Sequence, residues 1–351
     1  MTDLPDYLPT ASLETLQQRS RLLQTIRSYF EARNYWEVET PLLSRDCVVD
    51  AYIDPFTSQW QPEEGPGING SRQSEIRYLQ TSPEFAMKRL LTAGADRVYQ
   101  ITHAFRQAER GDMHNPEFSM LEWYCRGETH QEQMTFVEEL VRAVYQAAEE
   151  ISDQSQRIPL PTGPFTRLSY EEAFQKYAGL SALGSTVEEF ARLAEVRQIS
   201  VPMDFETTDR QSWQNLLLIE LVEPELKRLE TVFVYDYPPE QSALARIRPG
   251  NETFSYAVSE RFELYLQGIE ICNGYHELTD AAELRTRIVK QSALRQQEQR
   301  PALPEESYLL SAMEAGLPAC AGTALGLDRL IMLALGKQKL RDVIAFPFDR
   351  A

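Results

Sequence analysis

Phe118, Met120, Glu122 and Tyr124 recur at every second position. On an extended segment alternate side chains share one side, so a ring, a carboxylate and a phenol stand together on one face. Glu117, Ser119, Leu121 and Trp123 fall on the other. The stretch Phe105–Tyr124, FRQAERGDMHNPEFSMLEWY, reads as strand, polar loop, strand, with Arg106 closing the first strand. Such a surface can hold an anion on the arginine, stack a flat ring and grip a cation. Alternation alone is explained more plainly by an amphipathic hairpin with solvated charges, and the rest of the chain changes that balance.

A second constellation lies in ERFELYLQGIEICNGYHEL. With Gln267-Gly268 as a two-residue hairpin turn, Leu266 pairs with Ile269, Tyr265 with Glu270 and Glu263 with Cys272. Glu263 and Glu270 then share a face as diagonal neighbours, roughly 5–7 Å apart. Two carboxylates at that spacing, with no lysine nearby, suit a hard cation bound jointly with phosphates; a solvated pair is the plainer alternative. Asn273 and Glu277 have the opposite parity, so a bulge near Asn273-Gly274 is required to bring them to the same pocket. Ser82-Pro83-Glu84 makes a turn that opens a helix, and Glu84 in its first turn is also accounted for by the helix dipole. In AGTALGLDRLIMLALG, the small residues Gly322, Ala324 and Gly326 admit a close backbone approach. Arg329 sits in the first turn of the following buried helix, where the dipole disfavours a cation unless an anionic ligand lies there.

Other elements must position these groups. The helix over 12–34 carries Leu16, Leu22, Leu23, Ile26 and Phe30 at helical spacing and runs into a strand, WEVETPLL, stopped by Pro41. Gln61–Ser74 reads as an exposed loop, 131–149 as an amphipathic helix and Ile151–Phe165 as a Pro-containing linker. Residues 168–230 read as helical, with capping boxes at Ser169/Glu172, Thr186/Glu189 and Thr208/Gln211, and with Gly179 at a C-cap. This stretch is expected to be an insertion between two halves of one sheet. Thr231–Asp236 is a strand, and helices follow over about 280–297 and up to Gly316.

The 351 residues carry 42% apolar side chains and a formal charge of −18. A field of that sign repels phosphate backbones, and the chain has no Lys/Arg cluster to offset it. No apolar run approaches the ~18 residues of a membrane helix. The acidic N-terminus, MTDLPDYLPT, has no apolar leader, so a cytoplasmic protein is expected. Cys47, Cys125, Cys272 and Cys320 lack CxxC spacing, which argues for a reducing compartment and against zinc.

Taken in order, the helix-strand ending at Pro41, the FR…HNPEF segment and GxAxGxDR resemble the three signature motifs of class II aminoacyl-tRNA synthetases. TSPEF.MKR, HNPEF.MLEWY, EICNGYHEL and GLDRL resemble the lysyl branch most, over roughly residues 12–350. Motif 1 begins almost at the N-terminus, which leaves no room for an anticodon-binding OB domain. The chain therefore resembles the truncated bacterial paralogues that attach lysine, preferably (R)-β-lysine, to a lysine of elongation factor P.

The resemblance implies an α+β fold over residues 1–351: one class II synthetase-like antiparallel sheet flanked by helices, as a homodimer. It implies ATP and Mg²⁺, with tRNA not expected as a partner. Arg106 and Arg329 are implied as catalytic, at the α- and γ-phosphates. His114 and Asn115 would hold the triphosphate and Phe118 would stack on adenine. Gln107, Ala108, Glu109, Ile271 and Gly326 complete the nucleotide set, and Glu263 and Glu270 would hold Mg²⁺. Ser82, Pro83 and Glu84 would face the substrate amino group; Glu122, Tyr124 and Glu277 would bind the distal ammonium, with Asn273, Tyr275 and Ala324 lining the pocket. Ala324 replaces the glycine of lysyl-tRNA synthetases, which favours β-lysine. One departure stands at Ala108, where motif 2 has a carboxylate that meets adenine; Glu109 is the candidate replacement. Two alternatives keep the fold: a minimal lysyl-tRNA synthetase-like ligase, and a catalytically silent paralogue that regulates a partner.

Overall fold

A computed structural model describes residues 5, 7–60, 74–152, 159–203, 205–252 and 254–351. The Gln61–Ser74 loop, Ser74 apart, and residues 153–158 of the expected linker lie outside the described residues.

Helix α1 (Leu13–Glu31) starts where the Ser12 hydroxyl accepts the Thr15 N–H, satisfying a donor that has no partner within the helix. Strands β1 (Trp36–Glu37) and β2 (Leu43–Ser44) replace the one strand expected over WEVETPLL. Pro41 has no N–H for a ladder, so the chain breaks there, and β2 joins a separate three-stranded sheet with β3 (Thr57–Trp60) and β4 (Glu75–Leu79). Next come α2 (Glu84–Thr92), β5 (Arg97–Phe105), β6 (Glu117–Arg126) and α3 (His130–Ile151). Strand β7 (Thr166–Ser169) leads into α4 (Tyr170–Tyr177), α5 (Val187–Val196), α6 (Arg210–Leu217) and α7 (Glu223–Arg228). The chain continues with β8 (Thr231–Tyr237), β9 (Ile247–Arg248), β10 (Val258–Leu266) and β11 (Ile269–His276). It ends with α8 (Ala281–Gln297), α9 (Tyr308–Gly316), β12 (Cys320–Gly326) and α10 (Leu327–Ala334).

The main sheet has nine strands in the order β1-β5-β6-β12-β11-β10-β8-β7, with β9 on β10. From β5 to β8 every pairing is antiparallel, while β1/β5 and β7/β8 are parallel at the two ends. The fold is α+β, with a mixed rather than wholly antiparallel sheet. Parallel neighbours need a long crossover, and α4 to α7 form it between β7 and β8. Two of the three expected capping boxes are present, at Ser169 and Thr186. The third helix is capped by Asp209, whose carboxylate accepts the Ser212 N–H at 2.7 Å, while Thr208 donates to Glu206. A carboxylate placed at the cap makes the stronger, charge-assisted bond.

The period-2 pattern splits the sheet between two layers. Tyr99, Leu121, Trp123, Phe262 and Leu264 face α1, α3 and α10 in one core. Val98 and Tyr124, of the opposite parity, face α2, α8 and α9 in a second. The crossover helices pack a third core, with Phe174, Phe190 and Trp213, against Val232 and Val234. All four cysteines are buried and free. Among the described residues no helix is long and apolar enough to cross a membrane.

Candidate active site

A cavity of about 620 Å³ opens on the sheet and is lined from β6, β11, β12, α2, α8 and the loop between β5 and β6. Phe118, Met120, Glu122 and Tyr124 all reach it, as their alternation requires, while Leu121 and Trp123 enter the core behind.

One end is arginine-rich. The Arg106 guanidinium lies 5.1 Å from the centroid of the Phe118 ring, donates to the Thr81 carbonyl and pairs with Glu109 at 2.9 Å. Arg329 donates to the carbonyls of Met113 and Glu270 and to His114 Nε2 at 2.7 Å. No carboxylate pairs with Arg329 among the described residues, so its charge is left for a ligand. Burial, and then Arg329 itself, pulls the His114 imidazole below its ordinary value, which keeps it neutral and accepting. Asn115 is nine-tenths buried, but its amide is spent on the protein: it donates to the Glu117 carbonyl and accepts the Phe348 N–H. At Gly326 a Cβ would make only ordinary van der Waals contacts, with Arg329 and the Ile271 carbonyl at 3.6 Å.

The other end is acidic. Glu122 is buried, and accepts from the Tyr124 hydroxyl at 2.6 Å and the Ser82 hydroxyl at 2.9 Å. Burial, and then the neighbouring Glu84, pushes its carboxyl up to about 7, against those two hydrogen bonds. Glu84, in the first turn of α2, and Glu277, just past β11, each approach Lys88 Nζ at 2.5 Å. Burial pulls the Lys88 ammonium down, but Glu277 and Glu84 outweigh it and hold the charge. Burial likewise pushes Glu277 up, against the pull of Lys88. Gly322 makes this packing possible. A Cβ there would lie 2.3 Å from the Tyr124 ring and 2.7 Å from Glu277 Oε1.

Between the two ends, the β10/β11 hairpin turns through Gln267 and Gly268, both at positive φ (55° and 76°) as a type I′ turn demands. Leu266 pairs with Ile269 and Tyr265 with Glu270, as expected. Beyond that the register differs from expectation: Leu264, not Glu263, pairs with Cys272, and Glu263 faces Asn273. Ile271 is the extra residue of a bulge, earlier than the Asn273-Gly274 site the parity required. One extra residue reverses the parity, so Glu270, Asn273, Tyr275 and Glu277 all line the cavity. Burial and the Glu263 charge push the Glu270 carboxyl up to about 7, and no hydrogen bond satisfies it among the described residues. Glu270 therefore fits a divalent cation. Glu263 is differently placed: Tyr237 and Tyr265 donate to one oxygen at 2.8 and 2.6 Å, and Arg261 pairs with the other. It does not line the cavity, and those three donors already engage both of its oxygens.

Ser82, Glu84, Glu109, Ile271, Ala324 and Gly326 line the cavity too; Pro83, Gln107 and Ala108 do not. Gln107 binds the 54–55 backbone instead, and Glu109 is engaged by Arg106. The sequence reading missed Lys88, although Glu84 and Lys88 stand at the i, i+4 spacing of a helix ion pair. It also missed Arg261, which strand alternation puts on the face of Glu263 and which donates to Asn273 Oδ1 at 3.2 Å. One cluster of ligand-type groups, His130, Glu260 and His276, lies apart from the cavity. Its carboxylate is already paired with Arg246, Arg248 and His276, and those guanidinium charges oppose a metal ion.

The geometry is one cavity with an anion end, a flat aromatic wall and a buried cation end. A family model described as tRNA synthetases class II (D, K and N) matches residues 6–350. A protein of Vibrio cholerae named elongation factor P–(R)-β-lysine ligase is 40% identical over 346 residues, 99% of each chain. Proteins of the same name from Salmonella arizonae and Edwardsiella ictaluri are each 39% identical over 351 residues, the full length of both chains.

Proposed function

The chain belongs to the class II tRNA synthetase family of the D, K and N type, and from that premise we propose that it is an ATP-dependent ligase. It activates (R)-β-lysine, or lysine, as an adenylate and transfers it to a lysine side chain of elongation factor P. One observation carries the reading: a buried carboxylate pocket for a diamine is continuous with an arginine-bordered site for phosphates and a flat ring. The relatives' names supply the acceptor.

The amino-acid carboxylate attacks the α-phosphorus of ATP. The P–O bond to the β-phosphate breaks, and pyrophosphate leaves. Arg106 and Arg329 neutralise charge that grows in this step, and Phe118 orients the base. His114 holds Arg329 in place. Mg²⁺ would be held by Glu270, with Glu263 behind it, and would supply charge neutralisation on the phosphates. Glu122, Tyr124 and Glu277 take the distal ammonium, and Ser82 and Glu84 the nearer amino group. Asn273 and Tyr275 border the chain between, and the Ala324 methyl shapes the floor. The acceptor's ε-amine then attacks the acyl carbon, an amide bond forms, the C–O bond to AMP breaks and the amine gives up a proton. With Ala108 in place of the motif 2 carboxylate, and Glu109 paired to Arg106, the adenine amino group is left to backbone contacts. We read residues 1–351 as one catalytic unit with the crossover helices as its insertion, working as a homodimer in the cytoplasm where its acceptor acts.

Intact-mass spectrometry of unmodified elongation factor P tests this, after incubation with the protein, Mg-ATP and β-lysine; a parallel reaction contains tRNA. A gain of one lysyl unit on the factor, with uncharged tRNA, is expected. Charged tRNA with an unmodified factor would identify a minimal tRNA ligase instead. Neither product, together with no pyrophosphate exchange, would make the protein a silent amino-acid binder.

A further inference from the structure

Lys88 is only 2% exposed, does not line the cavity, and is assigned no part in the chemistry above. Its Nζ stands 2.5 Å from both Glu84 and Glu277. Among the described residues, the other titratable groups facing it are Tyr124 and Glu122 of the cavity wall and Cys320 of the core behind. Tyr124 from β6 lies with its ring centroid 5.8 Å away, Glu122 is beside it, and Cys320 at the start of β12 senses its charge. The α9 side packed on α2 is apolar, with Leu309, Leu310 and Met313.

We propose that Lys88 is the positioning residue of the amine pocket: from behind the wall its ammonium ties Glu84 to Glu277 and cancels one of three carboxylate charges, leaving two for the two ammonium groups of a diamino acid. This rests on the functional reading above. A buried carboxylate without a partner takes up a proton instead of keeping its charge. Lys88 sits between Glu84 and Glu277 at 2.5 Å from each, so both carboxylates are fixed in direction before substrate arrives, and its charge pulls against the burial that raises Glu277. Without it, the pocket gains a proton that a substrate ammonium must expel. Glu122, tied only to hydroxyl donors, is left as the carboxylate whose charge is completed by the ligand.

The test compares wild type, K88M and K88M/E277Q by amino-acid-dependent pyrophosphate exchange with β-lysine from pH 6 to 9, and by thermal melts of the ligand-free proteins. K88M is expected to raise KM about tenfold at pH 7, one pH unit's worth of proton competition. The gap should close as pH rises towards 9, with a smaller change in kcat. Ligand-free K88M should lose more melting temperature at pH 8 than at pH 5, and K88M/E277Q should recover part of that loss. A K88M protein too unstable to assay beside a soluble double variant supports the charge clamp. Equal failure of both variants, or a pH-independent loss shared by KM and kcat, would mean that Lys88 supplies shape alone and overturns the proposal. Unchanged KM and pH profile in K88M would overturn it too. Wild type without exchange on any diamino acid would instead refute the functional reading, while the melts still judge the clamp.

Discussion

Glu122 makes the proposed amine pocket pH-dependent, and the sign is fixed by its surroundings. The carboxyl is fully buried, and burial followed by the Glu84 charge raises it from 4.5 to about 7. Folded protein therefore holds this proton more tightly than the unfolded chain. Its contribution to stability is complete below about 4.5 and is lost as pH rises through about 7. The span is worth about 3 kcal/mol at 1.36 kcal/mol per unit. A bound ammonium inverts the effect, because it favours the ionised carboxylate. At pH 6 only about one pocket in ten is ionised at Glu122, so amino-acid affinity should be about tenfold weaker than at pH 8. The assay is KM for β-lysine in pyrophosphate exchange at half-unit steps from pH 5.5 to 8.5, with melts of ligand-free protein in the same buffers. Wild-type KM should fall to a plateau above pH 7.5, while the ligand-free melting temperature declines between pH 5 and 7.5. In E122Q the amide fills the same space without charge. KM should rise about thirtyfold at pH 8, as expected for about 2 kcal/mol from a charged hydrogen bond, and its pH dependence over this range should flatten. A wild-type KM flat from pH 6 to 8, or an E122Q profile parallel to wild type, would refute the reasoning.

Arg329→Ala removes the one guanidinium among the described cavity residues without a carboxylate partner, and should lower kcat/KM for ATP by about 10² to 10³ while leaving the melting temperature within a few degrees. Glu270→Gln should shift the Mg²⁺ titration of exchange about tenfold upward with the β-lysine KM little changed; an unaltered titration would remove Glu270 from the metal site. Gly322→Ala places a methyl 2.3 Å from the Tyr124 ring. It should cost about 1–3 kcal/mol in urea unfolding and raise the β-lysine KM, because Tyr124 can yield only by leaving Glu122.

Much of the site was legible because strand alternation is a local rule. Phe118, Met120, Glu122 and Tyr124 share the cavity wall as their spacing requires. Gln267-Gly268 gave the turn because few residue pairs accept two positive φ angles. The bulge at Ile271 was not legible in place: the need for it followed from parity, but which residue is extruded depends on how β11 fits between β10 and β12. The cap at Asp209 was missed by one residue because Thr208 and Asp209 are both competent caps and the local approach of the backbone chooses.

The sequence by itself determined the strand faces, the hairpin turn, the helix that presents Glu84 and the order of the signature segments, since each depends on residues close along the chain. The tertiary structure alone decided the charge state of the pocket. Lys88 meets Glu277 from a distant strand end, and Tyr237 of the neighbouring strand meets Glu263. Their effect comes from shared exclusion of water, which sequence spacing does not record. Charge in a buried site is a property of the group of residues that face one another, and only folding brings that group together.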